Sequence, residues 1–163
     1  MASFHRVINF FADLWATFFF VGKSPKAPGT CGSLAALPFA WFLWLLPAWQ
    51  GWLIVFVVFL LGVAAAASVI RRSGTEDHQS IVIDEVVGIF ITTSIAPRML
   101  WAFALAFILF RIFDIGKPWP ISWVDQKWKG GSGAMMDDVV AAALATVVFK
   151  VFLIGLMSAG FIA

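Results

Sequence analysis

The chain has no tyrosine, one cysteine and two histidines in 163 residues. A lone Cys31 cannot close an internal disulfide, and without a Cys/His set there is no zinc cluster. Charge is equally scarce. Asp, Glu, Lys and Arg make up 12% of the residues, against about 25% in a soluble domain. Apolar types make up 62%, and mean hydropathy is +0.96. So few charges cannot cover a water-facing globule, which excludes an ordinary cytosolic enzyme and a disordered chain. Eleven bases stand against nine acids with no basic run, so a nucleic-acid partner is excluded. What is abundant is Phe, with 18 residues, and Trp, with nine. Both suit membrane interfaces and helix contacts. The length allows one domain over residues 1–163.

Crossing a bilayer takes roughly 20 apolar residues. Residues 52–70 qualify with no charge at all, and residues 139–163 are interrupted only by Lys150. Shorter runs cover 34–49 with Pro38 and Pro47, 81–96 with Asp84 and Glu85, and 99–112 ending near Arg111. Residues 7–22 hold Asn9 and Asp13 and read as an amphipathic or partly buried helix. Asp13 and the lack of a small-residue cleavage site argue against a signal peptide there. The expected architecture is all-α, a polytopic helical bundle of about 4–5 spans plus the N-terminal amphipathic helix. Lys23 and Lys26 flank one side of the 34–70 hairpin, and Arg71 and Arg72 the other. The positive-inside bias puts these loops, and the loop holding Lys117, Lys127 and Lys129, in the cytoplasm. Only Arg98 opposes it. Nearly every ionisable group then collects on one membrane face.

Loop charges stay wet, and that alone accounts for Arg71, Arg72, Glu76, Asp77, Lys127 and Lys129. It accounts poorly for Asp84 and Glu85, which sit between Ile81-Val82-Ile83 and Val86-Val87. Three segments concentrate unusual residues. The first, GKSPKAPGTCGS at 22–33, has Thr30 and Ser33 as possible caps of a helix starting near Leu34, and backbone N–H groups able to take an anion. A plain capped loop fits the same residues. Gly22-Lys23-Ser24 is not a P-loop, because Thr17 stands where its first glycine belongs and Pro25 removes an N–H.

The second segment, IVIDEVVG at 81–88, carries adjacent acids that point about 100° apart on a helix, so one can face a site while the other packs. Two acids simply favouring a helix N-terminus is the alternative. The third runs from Phe110 to Asp138. Arg111 and Asp114 share a helix face, Gly116 and Pro118 end that helix, and Lys117 projects at the break. A Gly-rich turn then leads to Asp137 and Asp138 opening the last helix, where an N-cap and a first-turn acid would serve equally. His5 and His78 are isolated and read as surface residues. Several carboxylates suit Mg²⁺, and Lys and Arg suit phosphate oxygens. The composite is a Mg²⁺–phosphate site at the cytoplasmic interface, the depth of a lipid head group.

At these segments the sequence resembles the phosphatidylglycerophosphatase A family of bacterial membrane phosphatases. The resemblance rests on Pro25, Ala27-Pro28-Gly29-Thr30 and Gly32-Ser33, then on Ile83-Asp84-Glu85 and Gly88. It continues through Arg111, Phe113-Asp114, Lys117-Pro118, Pro120, Asp125, Gly133 and Asp137-Asp138. It implies Mg²⁺-dependent removal of the terminal phosphate of phosphatidylglycerophosphate, in an all-helical protein of the bacterial inner membrane, with membrane lipids as its surroundings. On that basis Asp84, Glu85, Asp137 and Asp138 are the expected metal ligands, with Asp114 a further candidate. Lys23, Thr30, Ser33, Arg111 and Lys117 are expected to bind substrate phosphate, and Asp114, Lys117 and Asp138 to act in catalysis. The nucleophile is a water on the metal or a carboxylate such as Asp114 or Asp138.

Other readings fit less well. A cysteine phosphatase needs Arg six residues after Cys31, where Leu37 stands. A haloacid-dehalogenase-like phosphatase needs D-x-D, which the chain lacks. The Arg-Pro and His elements of vanadium-type lipid phosphatases are not found either. A CDP-alcohol phosphotransferase pattern fits Gly133 and Asp137 but meets Ala141 where its last Asp belongs. A small transporter would carry its charges near the bilayer midplane rather than at one interface. Small residues at 63–67 and 141–145 permit close helix packing and leave the oligomeric state open.

Overall fold

A computed structural model describes residues 2–75 and 78–160 of the chain. Glu76 and Asp77, and the end of the last apolar run at 161–163, lie outside the described residues. The described residues form seven α-helices and no strand: α1 (Ala2–Ala16), α2 (Pro28–Leu43), α3 (Ala48–Ser73), α4 (Ile83–Thr93), α5 (Leu100–Gly116), α6 (Ile121–Lys127) and α7 (Gly130–Ser158). The all-α expectation is met. Two helices, α3 and α7, are long and apolar enough to cross a bilayer. At 1.5 Å per residue they measure about 39 and about 44 Å.

The bundle is built around α4. Eight of its residues, from Ile83 to Thr93, are buried, and it packs against α2, α3, α5 and α7. Its later hydroxyls bond within the helix, Thr92 to the Gly88 carbonyl at 2.9 Å and Thr93 to that of Ile89 at 2.7 Å. No water is needed to satisfy them. The outside of the bundle is apolar instead: on α3 alone Leu53, Phe56, Val57, Leu60 and Leu61 are exposed. Soluble monomers do not leave such contiguous apolar surface bare. Exposed apolar faces and two bilayer-length helices together indicate a membrane protein.

Small residues set the helix crossings. A Cβ on Gly88 would overlap the Phe110 ring of α5, and one on Gly131 would overlap the Val63 carbonyl and Ala67 of α3. Gly62 in turn meets Met135. The pairs 62 with 135 and 67 with 131 make α3 and α7 antiparallel. At one end Gly29 of α2 touches Glu85 of α4; at the other, Trp44 Nε1 donates to Thr93 Oγ1 at 3.2 Å. Hence α2 and α4 run parallel, and both begin at the same face.

Several boundaries differ from expectation. The 7–22 stretch is not one helix. α1 ends at Ala16 and the chain turns through Phe18, Phe19 and Phe20, all with positive φ, into a 3-10 turn at Val21–Lys23. Asp13 holds this helix to α3 by an ion pair with Arg72 at 2.5 Å. α2 begins at Pro28, not near Leu34, because proline at the first position is pre-set for helix. Ser33 therefore caps nothing: it lies inside the helix, fully buried, donating to the Gly29 carbonyl at 2.8 Å. α7 begins at Gly130, so the Gly-rich stretch is its first turn and Asp137 is no N-cap. Those glycines serve close packing, since a Cβ on Gly133 would overlap the Trp128 carbonyl.

Candidate active site

Four helix ends meet at one face: the starts of α2, α4 and α7 and the end of α5. Between them lies a cavity of about 740 Å³. Its lining carries six carboxylates (Asp84, Glu85, Asp114, Asp125, Asp137, Asp138) against three bases, Arg111, Lys117 and Lys129. If all were ionised, the acids would outnumber the bases by three.

Asp84 and Glu85 occupy the first turn of α4. Asp84 Oδ1 accepts the Glu85 backbone N–H at 3.0 Å. Asp138 comes from the third turn of α7 and is only 4% exposed. One ligand oxygen from each of Asp84, Glu85 and Asp138 lies within 4.8 Å of the other two. Glu85 Oε2 is buried with no hydrogen-bond partner among the described residues. Hard oxygen donors clustered this closely, one of them unsatisfied, fit a small divalent cation such as Mg²⁺.

Asp137 stands apart from this trio. One residue back on the helix, it turns about 100° away and accepts Lys117 Nζ at 2.8 Å. Lys117 also donates to Asp125 of α6 at 2.7 Å. It caps α5 in the left-handed region, φ 39°, which aims its side chain back over the cavity. Burial alone would lower its pKa. The hydrogen bonds and charges of Asp125 and Asp137 outweigh that and hold the ammonium above the usual lysine range.

Arg111 forms the opposite wall. Its guanidinium pairs with Asp114 one turn on, stands 3.6 Å from Glu85 Oε1, and reaches Thr30 Oγ1 at 3.5 Å. Gly29 makes room for this wall, since a Cβ there would overlap the Glu85 carboxylate and press on Arg111 Nη1.

Of the expected site residues, Asp84, Glu85, Asp114, Lys117, Asp137, Asp138, Arg111 and Thr30 all line this cavity. Ser33 does not, being buried within α2. Lys23 lines a second, smaller cavity instead. Two contributors had been given no role in the site from the sequence. Asp125 anchors Lys117, and its place in a short helix between two loops gave no periodic signal. His78, expected at the surface, is half-buried and lines both cavities, its Nδ1 2.8 Å from Ser80 Oγ. Its closeness to Asp84 in the chain was the available signal.

A family model described as phosphatidylglycerophosphatase A matches residues 14–153. A protein of Escherichia coli named phosphatidylglycerophosphatase A is 42% identical over 133 residues, covering 81% of this chain and 77% of that one. One of the same name from Haemophilus influenzae is 47% identical over 91 residues, 55% of this chain and 56% of that one. A putative phosphatidylinositol-3-phosphatase of Bacteroides thetaiotaomicron is 39% identical over 89 residues, 53% of this chain and 55% of that one. The matches with the Haemophilus and Bacteroides proteins thus span little more than half of those relatives. No solved structure matches the chain.

Proposed function

This chain belongs to the phosphatidylglycerophosphatase A family, and from that membership we propose that it hydrolyses phosphatidylglycerophosphate to phosphatidylglycerol and inorganic phosphate. The observation that carries the reading is the carboxylate trio of Asp84, Glu85 and Asp138, which lines one cavity together with Arg111 and Lys117. Acids alone would repel a phosphate and bases alone would not hold a metal. The two together suit a metal–phosphate pair.

Asp84, Glu85 and Asp138 would hold Mg²⁺. When bound, it supplies positive charge against the phosphate oxygens and polarises phosphorus for attack. The remaining work falls to the chain. Arg111 and Lys117 are already oriented by acids, Arg111 by Asp114 and Lys117 by Asp125 and Asp137. They meet the charge building on the phosphoryl oxygens without having to reorganise first. Asp114, outside the trio, is the carboxylate able to accept the proton of an attacking water. As water's oxygen bonds to phosphorus and its proton passes to Asp114, the bond to the glycerol oxygen breaks, and that oxygen takes up a proton from solvent. Thr30 supports the Arg111 wall.

We read the membrane arrangement from the same ends, as part of this proposal. α3 and α7 cross the bilayer in opposite directions. α2 and α5, about 24 and about 26 Å long, cross beside them as shorter spans. α4, at about 16 Å, is enclosed by protein and brings Asp84 and Glu85 to the site without itself facing lipid. Lys23, Lys26, Arg71, Arg72, Lys127 and Lys129 gather at the site end and Arg98 at the other. Under the positive-inside bias this supports a site that faces the cytoplasm, and family membership supports a bacterial inner membrane.

The test is phosphate release by protein purified in mild detergent, with Mg²⁺ and with EDTA. Phosphatidic acid and a CDP-lipid are assayed alongside. Release that needs Mg²⁺ and prefers phosphatidylglycerophosphate is the expected result. Folded protein that releases nothing from any lipid phosphate refutes the reading, and a product that forms only with the CDP-lipid replaces it with a phosphotransferase.

A further inference from the structure

A second cavity of about 400 Å³ adjoins the first. The two share Pro28, His78 and Gln79 as a common rim. Their described linings differ. The second holds Lys23 and the hydroxyls of Ser24, Thr75 and Ser80, and no carboxylate among its described lining residues. It is also built firmly. Gly22 packs so close to the Ser80 carbonyl and Val82 that no Cβ fits, which seats Lys23 and Ser24 beside His78 and Ser80. Val82 N–H donates to the Ala16 carbonyl at 2.9 Å, tying the same segment to the end of α1.

Beside this cavity lie exposed aromatics of the kind that sit at a lipid interface. Lys23 Nζ lies 4.6 Å from the centre of the Phe20 ring, and Phe19 and Phe20 are both exposed. From lipid inward the order is therefore exposed aromatics, one cation with hydroxyl donors, then the acid-lined cavity with its two oriented cations. A head group of matching order has acyl chains, a singly charged phosphodiester, a glycerol, and a terminal monoester.

We propose that the second cavity is a binding subsite for the internal phosphodiester of the substrate, with Lys23 as its counter-charge, while the terminal monoester enters the acid-lined cavity. The inference rests on the lipid-phosphatase reading above. A diester carries one negative charge and needs donors and a single cation, with no metal. A dianionic monoester needs the metal site. A substrate with both phosphates spans both cavities across the His78 rim, and a lipid monoester without the diester leaves Lys23 unused. The subsite thereby favours a phosphorylated polyol head group over a phosphate borne directly on diacylglycerol.

The experiment uses the full chain in detergent, substrate labelled in the terminal phosphate, and Lys23→Met beside wild type. Two inhibitors separate the cavities: phosphatidylglycerol, which has only the diester, and unlabelled inorganic phosphate, which mimics only the monoester. Losing one exposed charge-assisted contact is expected to raise KM about tenfold while kcat stays within about threefold. The Ki of phosphatidylglycerol should rise in parallel and that of inorganic phosphate by less than about twofold. Ser80→Ala should shift the same two constants in the same direction by about threefold. Equal shifts for both inhibitors, no shift in either, or a wild type that phosphatidylglycerol does not inhibit would overturn the subsite. Wild-type protein that releases no phosphate refutes the phosphatase reading itself, a different result from active protein indifferent to Lys23→Met.

Discussion

Replacing Asp138 by Asn keeps the shape of the side chain and removes its charge, and it separates the stability of this protein from its activity. Asp138 shares a space with Asp84 and Glu85 in which the ligand oxygens lie within 4.8 Å of one another. At an effective dielectric of about 20, two ionised carboxylates at that separation repel by about 3.5 kcal/mol. Asp138 has two such neighbours, so its charge beside both costs about 7 kcal/mol if all three acids are ionised. Asp138→Asn is therefore expected to stabilise the metal-free protein by about 1–3 kcal/mol. The wild type recovers the difference only when a cation binds, since a ligand at a hundred times its Kd adds about 2.7 kcal/mol. Thermal unfolding in detergent, in EDTA and in Mg²⁺, reads both halves. The variant should melt higher than wild type in EDTA, gain little from Mg²⁺, and lose at least about a hundredfold in turnover. A variant that melts lower than wild type in EDTA, or gains as much from Mg²⁺, refutes the claim that these three acids form a cation site.

Other expectations bear on the walls of the cavity and on the packing around it. Gly29→Ala puts a Cβ where the Glu85 carboxylate and Arg111 stand; turnover should fall about tenfold or more with helicity by circular dichroism unchanged. Lys117→Met leaves Asp125 and Asp137 without their shared cation; the pair is partly exposed, so the expected loss is about 1 kcal/mol of stability, with a larger loss of activity in the phosphate-release assay. Gly131→Val forces α7 off the Val63 carbonyl of α3; the measurable result is loss of monodisperse protein on size exclusion. In a Cys31→Ser background, Lys129→Cys and Arg98→Cys should react with an impermeant thiol reagent from opposite sides of the membrane, and labelling from the same side would undo the topology.

The helical class, the apolar helices at 52–70 and 139–158 and the cluster of acids at one face were all legible, because each is written in local composition. Run length marks a bilayer-length helix. An acid pair between Ile83 and Val86 marks either a helix start or a site, and here it is both. The boundaries were less legible because glycine has two meanings. At 130–133 the run GGSG reads as a turn, yet its residues form the first turn of α7, since the space they leave is filled by α3 and by the Trp128 carbonyl. Likewise Ser33 looks like a cap until Pro28 is seen to start the helix a turn and a half earlier. What a glycine or serine does there depends on a neighbour remote in sequence.

The same limit explains the division of labour among the acids. Asp84-Glu85 and Asp137-Asp138 are each adjacent pairs, and a helix turns adjacent side chains about 100° apart. Sequence can therefore say that members of a pair face different surroundings, without saying which member faces what. For Asp84 and Glu85 both acids reach the trio, because α4 starts at that point and its first turn is open on the cavity side. For Asp137 and Asp138 they part, because Lys117 reaches in from the end of α5 and takes Asp137. That lysine stands there only because Gly116 and Pro118 end the helix around it and Asp125 on α6 holds its other side. Lys117 thus decides which acid of α7 is left for the proposed cation, and its two ion pairs hold an ammonium at the wall of the acid-lined cavity. Of the six carboxylates that line the cavity, Asp114, Asp125 and Asp137 hold its bases, while Asp84, Glu85 and Asp138 lie together beside them.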